Sequence, residues 1–338
     1  MESIVRNSKG EAITLNAQEK RVAAVNQKLV NALGYEVNIT TLTTIIKKVS
    51  EQKFFQLAPA DYVPIRVGQG AWSSNLITYR SFALADDFST GVINTGANNG
   101  RLAQGDAGVD SVQVKVLNWA KSIGWSLPDL QLAAKSGSWD LVTSKEKARK
   151  KNWDLGIQKV AFLGLPGDSN CLGLFSQVGV TIDLAVLTQS ISSLAPAALN
   201  TFIQTILNSY RSNCGRSAWP SHFIIPESDY LGLAAPSSPT YPIKSVLSIL
   251  QDTFAIMTGN KDFKVLPCAY GDKLTSGATV QQYVLLNYEE ESLRMDIPVD
   301  YTNTVANSID NFSFQNVGYG QFTGVMAYRP QELYYIQF

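Results

Sequence analysis

The chain is short of charge, of histidine and of cysteine. Charged residues make up 17% of its 338 positions, against roughly 25% in an average globular protein. Lys plus Arg total 28 and Asp plus Glu total 28, so the formal net charge is zero. That balance disfavours a protein that coats nucleic acid, which carries a large positive excess. Apolar residues at 45% and aromatics at 10% exclude a disordered chain, which combines low hydrophobicity with high net charge. The three cysteines, Cys171, Cys214 and Cys268, include no CxxC pair. They make no disulfide framework and read as small buried apolar residues in a reducing cytoplasm. No apolar run nears the ~20 residues that cross a bilayer; the richest is Val160 to Leu165. Met1 to Gly10 lacks the apolar core of a signal peptide, so no membrane is expected as a partner.

Motifs for catalysis are missing too. There is no GxSxG, no GxxxxGK[ST], and no GxGxxG that follows a strand and opens a helix. Gly318, Gly320 and Gly324 come near that last spacing but sit inside a β pattern, where glycine marks a bulge or a close backbone approach. The single histidine, His222, lies in the apolar run His222 to Ile225 and reads as a half-buried strand residue, not a base or a ligand. Glu289, Glu290 and Glu291 are consecutive, so on a strand they would alternate faces; a solvated turn fits better. A hydrolase using Asp296 and Asp300 is the minority alternative, since neither sits in catalytic spacing. No cofactor, no metal and no enzymatic activity are expected.

What is present is a clear segmentation. Asn16 and Glu19 form a capping box before the apolar stripe Val22, Val25, Leu29 and Leu33, with Gly34 as its stop. A second amphipathic piece runs from Thr41 to Phe54. From Tyr62 to Gly108 the texture is β-rich, with Leu76, Thr78 and Arg80 alternating against Ile77 and Tyr79. Gly91, Gly96, Gly100, Gly105 and Gly108 follow. This reads as a projecting hairpin that packs on something outside its own domain. Val112 to Trp119 alternates as a strand, and Leu127 to Lys135 is a short helix opened by Pro128. A long helix then runs from Lys145 to about Leu163, with Asp140, Thr143 or Ser144 as its cap and Gly164 as its stop. Ser193 to Asp300 alternates helix and strand signals, and Leu293 to Phe338 is β-rich.

Two surfaces invite a functional reading. The basic run Lys145, Lys147, Arg149, Lys150 and Lys151 is either a solvated helix face or a weak, sequence-blind phosphate contact; without interleaved aromatics it does not read bases. The scarcity of charge fits either an uncharged polar surface or one covered by other subunits, because interface cores are depleted in charge.

Several segments, in order, resemble the major capsid proteins of tailed bacteriophages, the Hong Kong 97 family. They are Val67 to Arg80 (VGQGAWSSNLITYR), Val112 to Ser126 (VQVKVLNWAKSIGWS), Leu130 to Lys135, Leu141 to Gly164, Leu172 to Phe175, Ile297 to Val299, and Gly318 to Leu333 with Tyr328–Arg329–Pro330. The resemblance implies an α+β capsid fold. Its parts are an N-terminal arm (1–60), an extended E-loop hairpin (61–108) and a P-domain (109–192) with a spine helix at about 145–163. An α/β A-domain (193–295) and closing strands (296–338) complete it. It implies a shell subunit in the virion, assembled in the host cytoplasm as hexamers and pentamers around double-stranded DNA. A portal, a head–tail connector, a separate scaffolding protein and a decoration protein are the implied partners. An encapsulin-like nanocompartment is the alternative within the fold. The E-loop contacts expected between subunits are Trp72, Leu76, Tyr79, Arg80 and Phe82.

Two departures carry expectations. Some relatives crosslink through an E-loop lysine, but no lysine lies between Lys53 and Lys115; Arg66, Arg80 and Arg101 cannot supply that nucleophile. Some carry a cleaved scaffolding segment of ~100 residues, longer than 1–54; either the scaffold is a separate protein, which Met1 favours, or this chain lacks the segment. Charge also divides by region: net +3 over 1–53, −2 over 54–114, +3 over 115–190, −3 over 191–300 and −1 over 301–338. A mildly basic lining and a more acidic exterior are expected.

Overall fold

The computed structural model describes residues 53–84, 106–135, 140–236, 244–272, 280–310 and 312–338. The chain divides into two units, 1–54 and 55–338, and every element below lies in the second. The expected arm helices and the glycine turns between Gly91 and Gly105 fall outside the described residues.

In chain order the elements are β1 (Ile65–Val67), β2 (Asn75–Leu84), β3 (Asp106–Lys115), β4 (Leu117–Ser126), α1 (Leu127–Lys135) and α2 (Leu141–Leu163). Then come β5 (Thr181–Asp183), α3 (Pro196–Asn213), β6 (His222–Pro226), α4 (Glu227–Leu233), α5 (Val246–Thr258), β7 (Lys264–Cys268) and β8 (Gln282–Leu286). The chain closes with β9 (Leu293–Ile297), β10 (Val299–Asn303), β11 (Asn307–Ser308), β12 (Ser313–Phe322), β13 (Val325–Ala327) and β14 (Leu333–Gln337).

β2 and β3 form a two-stranded antiparallel ribbon, in unbroken register from Asn75 opposite Lys115 to Leu84 opposite Asp106. Ten residues of strand span roughly 33 Å. The ribbon starts later than 61, because Ile65–Val67 is drawn off into parallel pairing with β9. It also runs past 108, to Lys115. The strand expected over Val112–Trp119 is in fact the end of one strand and the start of another. Val116 is buried between them and its N–H donates to Ser74 O, which turns the chain from ribbon into sheet.

β4 pairs with β12 along ten residues, and β10 and β11 pair with the other edge of β12. The long helix α2 packs on this sheet. It begins at Leu141, four residues before 145, because the Asp140 carboxylate accepts the Thr143 N–H at 3.1 Å. It ends at Gly164, whose φ of 78° is the left-handed turn that favours glycine. Its 23 residues span roughly 35 Å.

A five-stranded sheet, in the order β5-β14-β8-β6-β7, separates two cores. Alternate residues of each strand serve each core, as the period of two demands. Ile224, Val284, Leu286, Leu333 and Tyr335 face α2, with Trp153, Ile157 and Phe162. Phe223, Ile225, Tyr283, Leu285, Tyr334 and Ile336 face the helices α3 and α5. On α3 the stripe Leu199, Ile203, Ile206 and Tyr210 is buried as its spacing requires. α5 starts at Val246, where Ser245 Oγ caps the Ser248 N–H. The C-terminal strand β14 sits inside this sheet rather than beside it.

Candidate functional site

The ribbon has two chemically different faces. Directly opposed residues share a face, so Leu76–Val114, Thr78–Val112 and Arg80–Asp110 lie on one side. Ile77–Gln113, Tyr79–Ser111 and Ser81–Val109 lie on the other. The first face is tied into the chain. Arg80 Nη1 donates to Tyr328 O at 2.9 Å, and its Nη2 meets Asp110 at 2.7 Å. That hydrogen bond holds the Asp110 carboxyl below the usual carboxylate range. Leu76 packs over Gly70, where a β-carbon would overlap it.

The second face is open. Ile77, Tyr79 and Val109 are all exposed, Tyr79 by 72%. Trp72 is exposed as well, at a φ of 63° that is strained for a bulky residue. Its N–H donates to Gln321 Oε1 at 2.8 Å and its ring leans on Tyr319. Of the five expected contact residues, Trp72 and Tyr79 present themselves outward. Leu76 is half-buried and Arg80 is engaged within its own chain, because the pleat points both inward. The Phe82 side chain lies outside the described residues.

Beneath the ribbon is a buried charge cluster that sequence reasoning missed. Asp296 accepts from Arg66 Nε at 2.9 Å and from Arg294 Nε at 3.1 Å. Arg294 Nη2 reaches Thr78 Oγ1 at 3.2 Å and Tyr328 OH at 3.0 Å. The ribbon's root is thus clamped by residues more than two hundred positions away. Arg66, Thr78, Asp296 and Tyr328 had each drawn notice for other reasons, and nothing in their spacing joined them to one another or to Arg294. Asp296 is neutralised by two guanidinium groups and Asp300 lies exposed on β10, so the pair makes no hydrolytic dyad. Glu289, Glu290 and Glu291 lie outside the strands, in the β8–β9 connection. Arg329 meets Glu291 at 2.7 Å and Glu332 at 3.5 Å there.

The basic run on α2 is not one face. Arg149 is 2% exposed and turns away from solvent. Its Nε donates to Tyr301 OH at 2.8 Å, Nη1 to Asn316 Oδ1 at 2.9 Å and Nη2 to Asn303 Oδ1 at 3.0 Å. Helical periodicity puts position 149 with Trp153 on the inward side, which a count of basic residues overlooks. Lys145 is half-buried, with Nζ on Gly124 O at 2.7 Å. Lys151 is half-buried too, while Lys147 and Lys150 are exposed.

The remaining chemical candidates are structural. Gly318 and Gly320 let α2 lie against β12: a β-carbon at Gly318 would meet Arg149 Nε at 2.6 Å, and one at Gly320 would meet Trp153 Cη2 at 2.5 Å. His222 is buried, stacks on Tyr288 at 4.7 Å, and has its pKa pushed down to about 4 by burial and by Lys264. The three cysteines are free and buried. Among the described residues no cluster of His, Cys, Asp and Glu could hold a metal ion, and no helix is long and apolar enough to cross a membrane.

The family model for major capsid proteins matches residues 91–337. No curated protein matches the chain by sequence. Among solved structures, the capsid of Myoviridae phage XM1 gives a TM-score of 0.70 at 12% identity, covering 88% of this chain and 97% of that one. The capsid of the native GTA particle gives 0.56 at 9% identity, covering 91% and 98%. Gordonia phage Cozz gives 0.55 at 11%, covering 90% and 93%. At these identities the likeness is one of fold.

Proposed function

Because the chain belongs to the major capsid protein family, we propose that it assembles as hexamers and pentamers into a phage head that encloses double-stranded DNA. The fold is the Hong Kong 97-like α+β fold, and the protein is a structural component of the virion. One observation carries the assembly reading: a long ribbon whose inner face is bonded to its own chain and whose outer face leaves Ile77, Tyr79 and Val109 exposed. Apolar surface on an extension is stabilised only when something covers it, and in a shell that cover is a neighbouring copy. In this reading the β2–β3 ribbon is the body of the E-loop, α2 the spine of the P-domain, and the five-stranded sheet with α3 and α5 the core of the A-domain.

The exposed lysines Lys147 and Lys150 give α2 a weak phosphate-facing side. With Arg149 withdrawn into the protein, DNA is contained more than gripped, since each phosphate contact adds affinity. A separate scaffolding protein, a portal, a connector and a decoration protein complete the proposed assembly. A cargo-storing nanocompartment would use similar geometry, but the family matched is that of major capsid proteins, which supports the phage reading.

Negative-stain electron microscopy of the expressed full chain, with and without a co-expressed scaffold, tests this. Closed shells or free capsomers are expected. A monodisperse 36.9 kDa monomer under all conditions overturns it.

A further inference from the structure

The α/β unit carries a stretch of surface that its own chemistry leaves unexplained. Between Asp168 and Arg211 the only charged side chain is Asp183. Half of this stretch is on the outside: between Ala197 and Asn208 the exposed residues of α3 are Ala, Asn, Thr and Gln. At its edge lies β5, which ends the five-stranded sheet and, among the described residues, pairs only with β14. Around β5, Val178, Ile182 and Leu184 are all exposed, Val178 by 77%. The strand's one charge, Asp183, is bonded by Tyr334 within the chain, and an edge strand flanked by exposed apolar residues is a surface that free proteins avoid, because it templates association.

The opposite edge of the same unit repeats the pattern with different residues. β7 ends the sheet on that side. The helices packed there, α4 and α5, turn Leu233, Leu250 and Phe254 inward. Leu231 and Ile256 point outward, Ile256 exposed by 81%.

We propose that these two edges are the halves of one contact between copies of this chain: the β5 edge, with Val178, Ile182 and Leu184, meets the Leu231–Ile256 edge of the next copy. The proposal rests on the shell-subunit reading and names which surfaces join within a ring. Two arguments select a second copy as the occupant. The one charge on the β5 side, Asp183, is taken up by the Tyr334 O–H at 2.6 Å and by the N–H groups of Ala185 and Val186, and Asp252 on the facing edge pairs with Lys244 at 2.5 Å, so both edges offer mainly apolar side chains and little to DNA. A ring of identical subunits needs two different, complementary patches per subunit, one on each flank, and the two edges of one sheet supply them. Interfaces of this kind are depleted in charge at their centres.

The test uses the full chain with Ile182→Glu or Ile256→Glu, and Val178→Glu as a second variant of the β5 edge. Val305→Glu, at an exposed position on neither edge, is the control. All these side chains are exposed, so thermal unfolding of the unassembled subunit stays at the wild-type value. Each edge variant alone loses capsomers and shells by about tenfold or more in sedimentation and microscopy, while the control assembles normally. Mixing the Ile182→Glu and Ile256→Glu proteins restores one intact contact and gives heterodimers that stop there. Edge variants that assemble like the control overturn the proposal, as does a mixture that forms no dimer. A wild-type chain that forms no multimer is a separate outcome, since it removes the shell-subunit reading before any variant is compared.

Discussion

Arg149 lies against Gly318, so close that a β-carbon on that glycine would sit 2.6 Å from Nε. The helix α2 can approach β12 this closely only because positions 318 and 320 carry no side chains. Gly318→Ala and Gly320→Ala should therefore each force the helix or its side chains to shift. Overpacking of this kind costs about 1–3 kcal/mol. Urea unfolding of the unassembled subunit should show both losses. A neutral result at both sites would mean that the helix is not seated as described.

The same guanidinium has no carboxylate within its own set of bonds and is satisfied by Tyr301, Asn303, Asn316 and the Lys121 carbonyl. Arg149→Met keeps much of the volume but leaves those partners facing apolar carbon. Buried groups stripped of their partners cost about 1–3 kcal/mol each, so a loss on the order of 3 kcal/mol is expected. Exposed Lys150→Met should change stability by less than about 0.5 kcal/mol. If the two variants unfold alike, Arg149 is not the hub of this sheet.

How much of this was legible beforehand depends on the range of the interaction. Elements set by local signals came out directly. Leu127–Lys135 follows from Pro128. The turn at Glu289–Glu291 follows from three adjacent carboxylates, and Gly164 marks a helix end. Elements set by distant partners did not. Ile65–Val67 is a strand because β9 pairs with it, and the ribbon's root is fixed by Arg294 and Tyr328. Arg149 read as part of a basic face because composition records charge and not direction. The glycines at 318 and 320 read as either bulges or close approaches, and it is the packing of Arg149 and Trp153 against them that decides for close approach.

His222 gives the subunit a pH dependence of known sign. Burial, reinforced by Lys264 and opposed by Asp61, pushes its pKa down to about 4 from an ordinary value of 6.5. Between those two values the unfolded chain binds a proton that the folded chain does not. Stability therefore falls as pH drops below 6.5, by at most about 1.4 kcal/mol per pH unit, and is unaffected above it. His222→Phe keeps a ring to stack on Tyr288 and removes the proton. Relative to wild type, the variant should gain about 2 kcal/mol on going from pH 7 to pH 5. An equal response of the two proteins to acid would contradict the assignment.

Gly156 sits in mid-helix, where glycine is about 1 kcal/mol worse than alanine. A β-carbon there meets nothing within 4 Å. It borders an apolar slot of about 220 Å³ lined also by Trp119, Trp153, Val160, Leu165 and Phe322. Gly156→Ala should raise the stability of the isolated subunit by about 1 kcal/mol, seen as a higher midpoint in urea. A lower midpoint would show that the slot is smaller than it appears in the fold.

The covalent crosslink known among some relatives needs an amine along the extended loop, and the ribbon's one lysine, Lys115, stands only at its root. No lysine lies between Lys53 and Lys115. Lys115, at the ribbon's root, faces Asp168 at 3.7 Å. Arg80 is held by Tyr328 and Asp110, and a guanidinium stays protonated and is no nucleophile. Mature particles boiled in detergent should therefore run as a single band at 36.9 kDa, with strength coming from contacts that heat and detergent dissolve. A ladder of dimers to hexamers on that gel would require another nucleophile, and would show that the head is sealed by chemistry this ribbon does not contain.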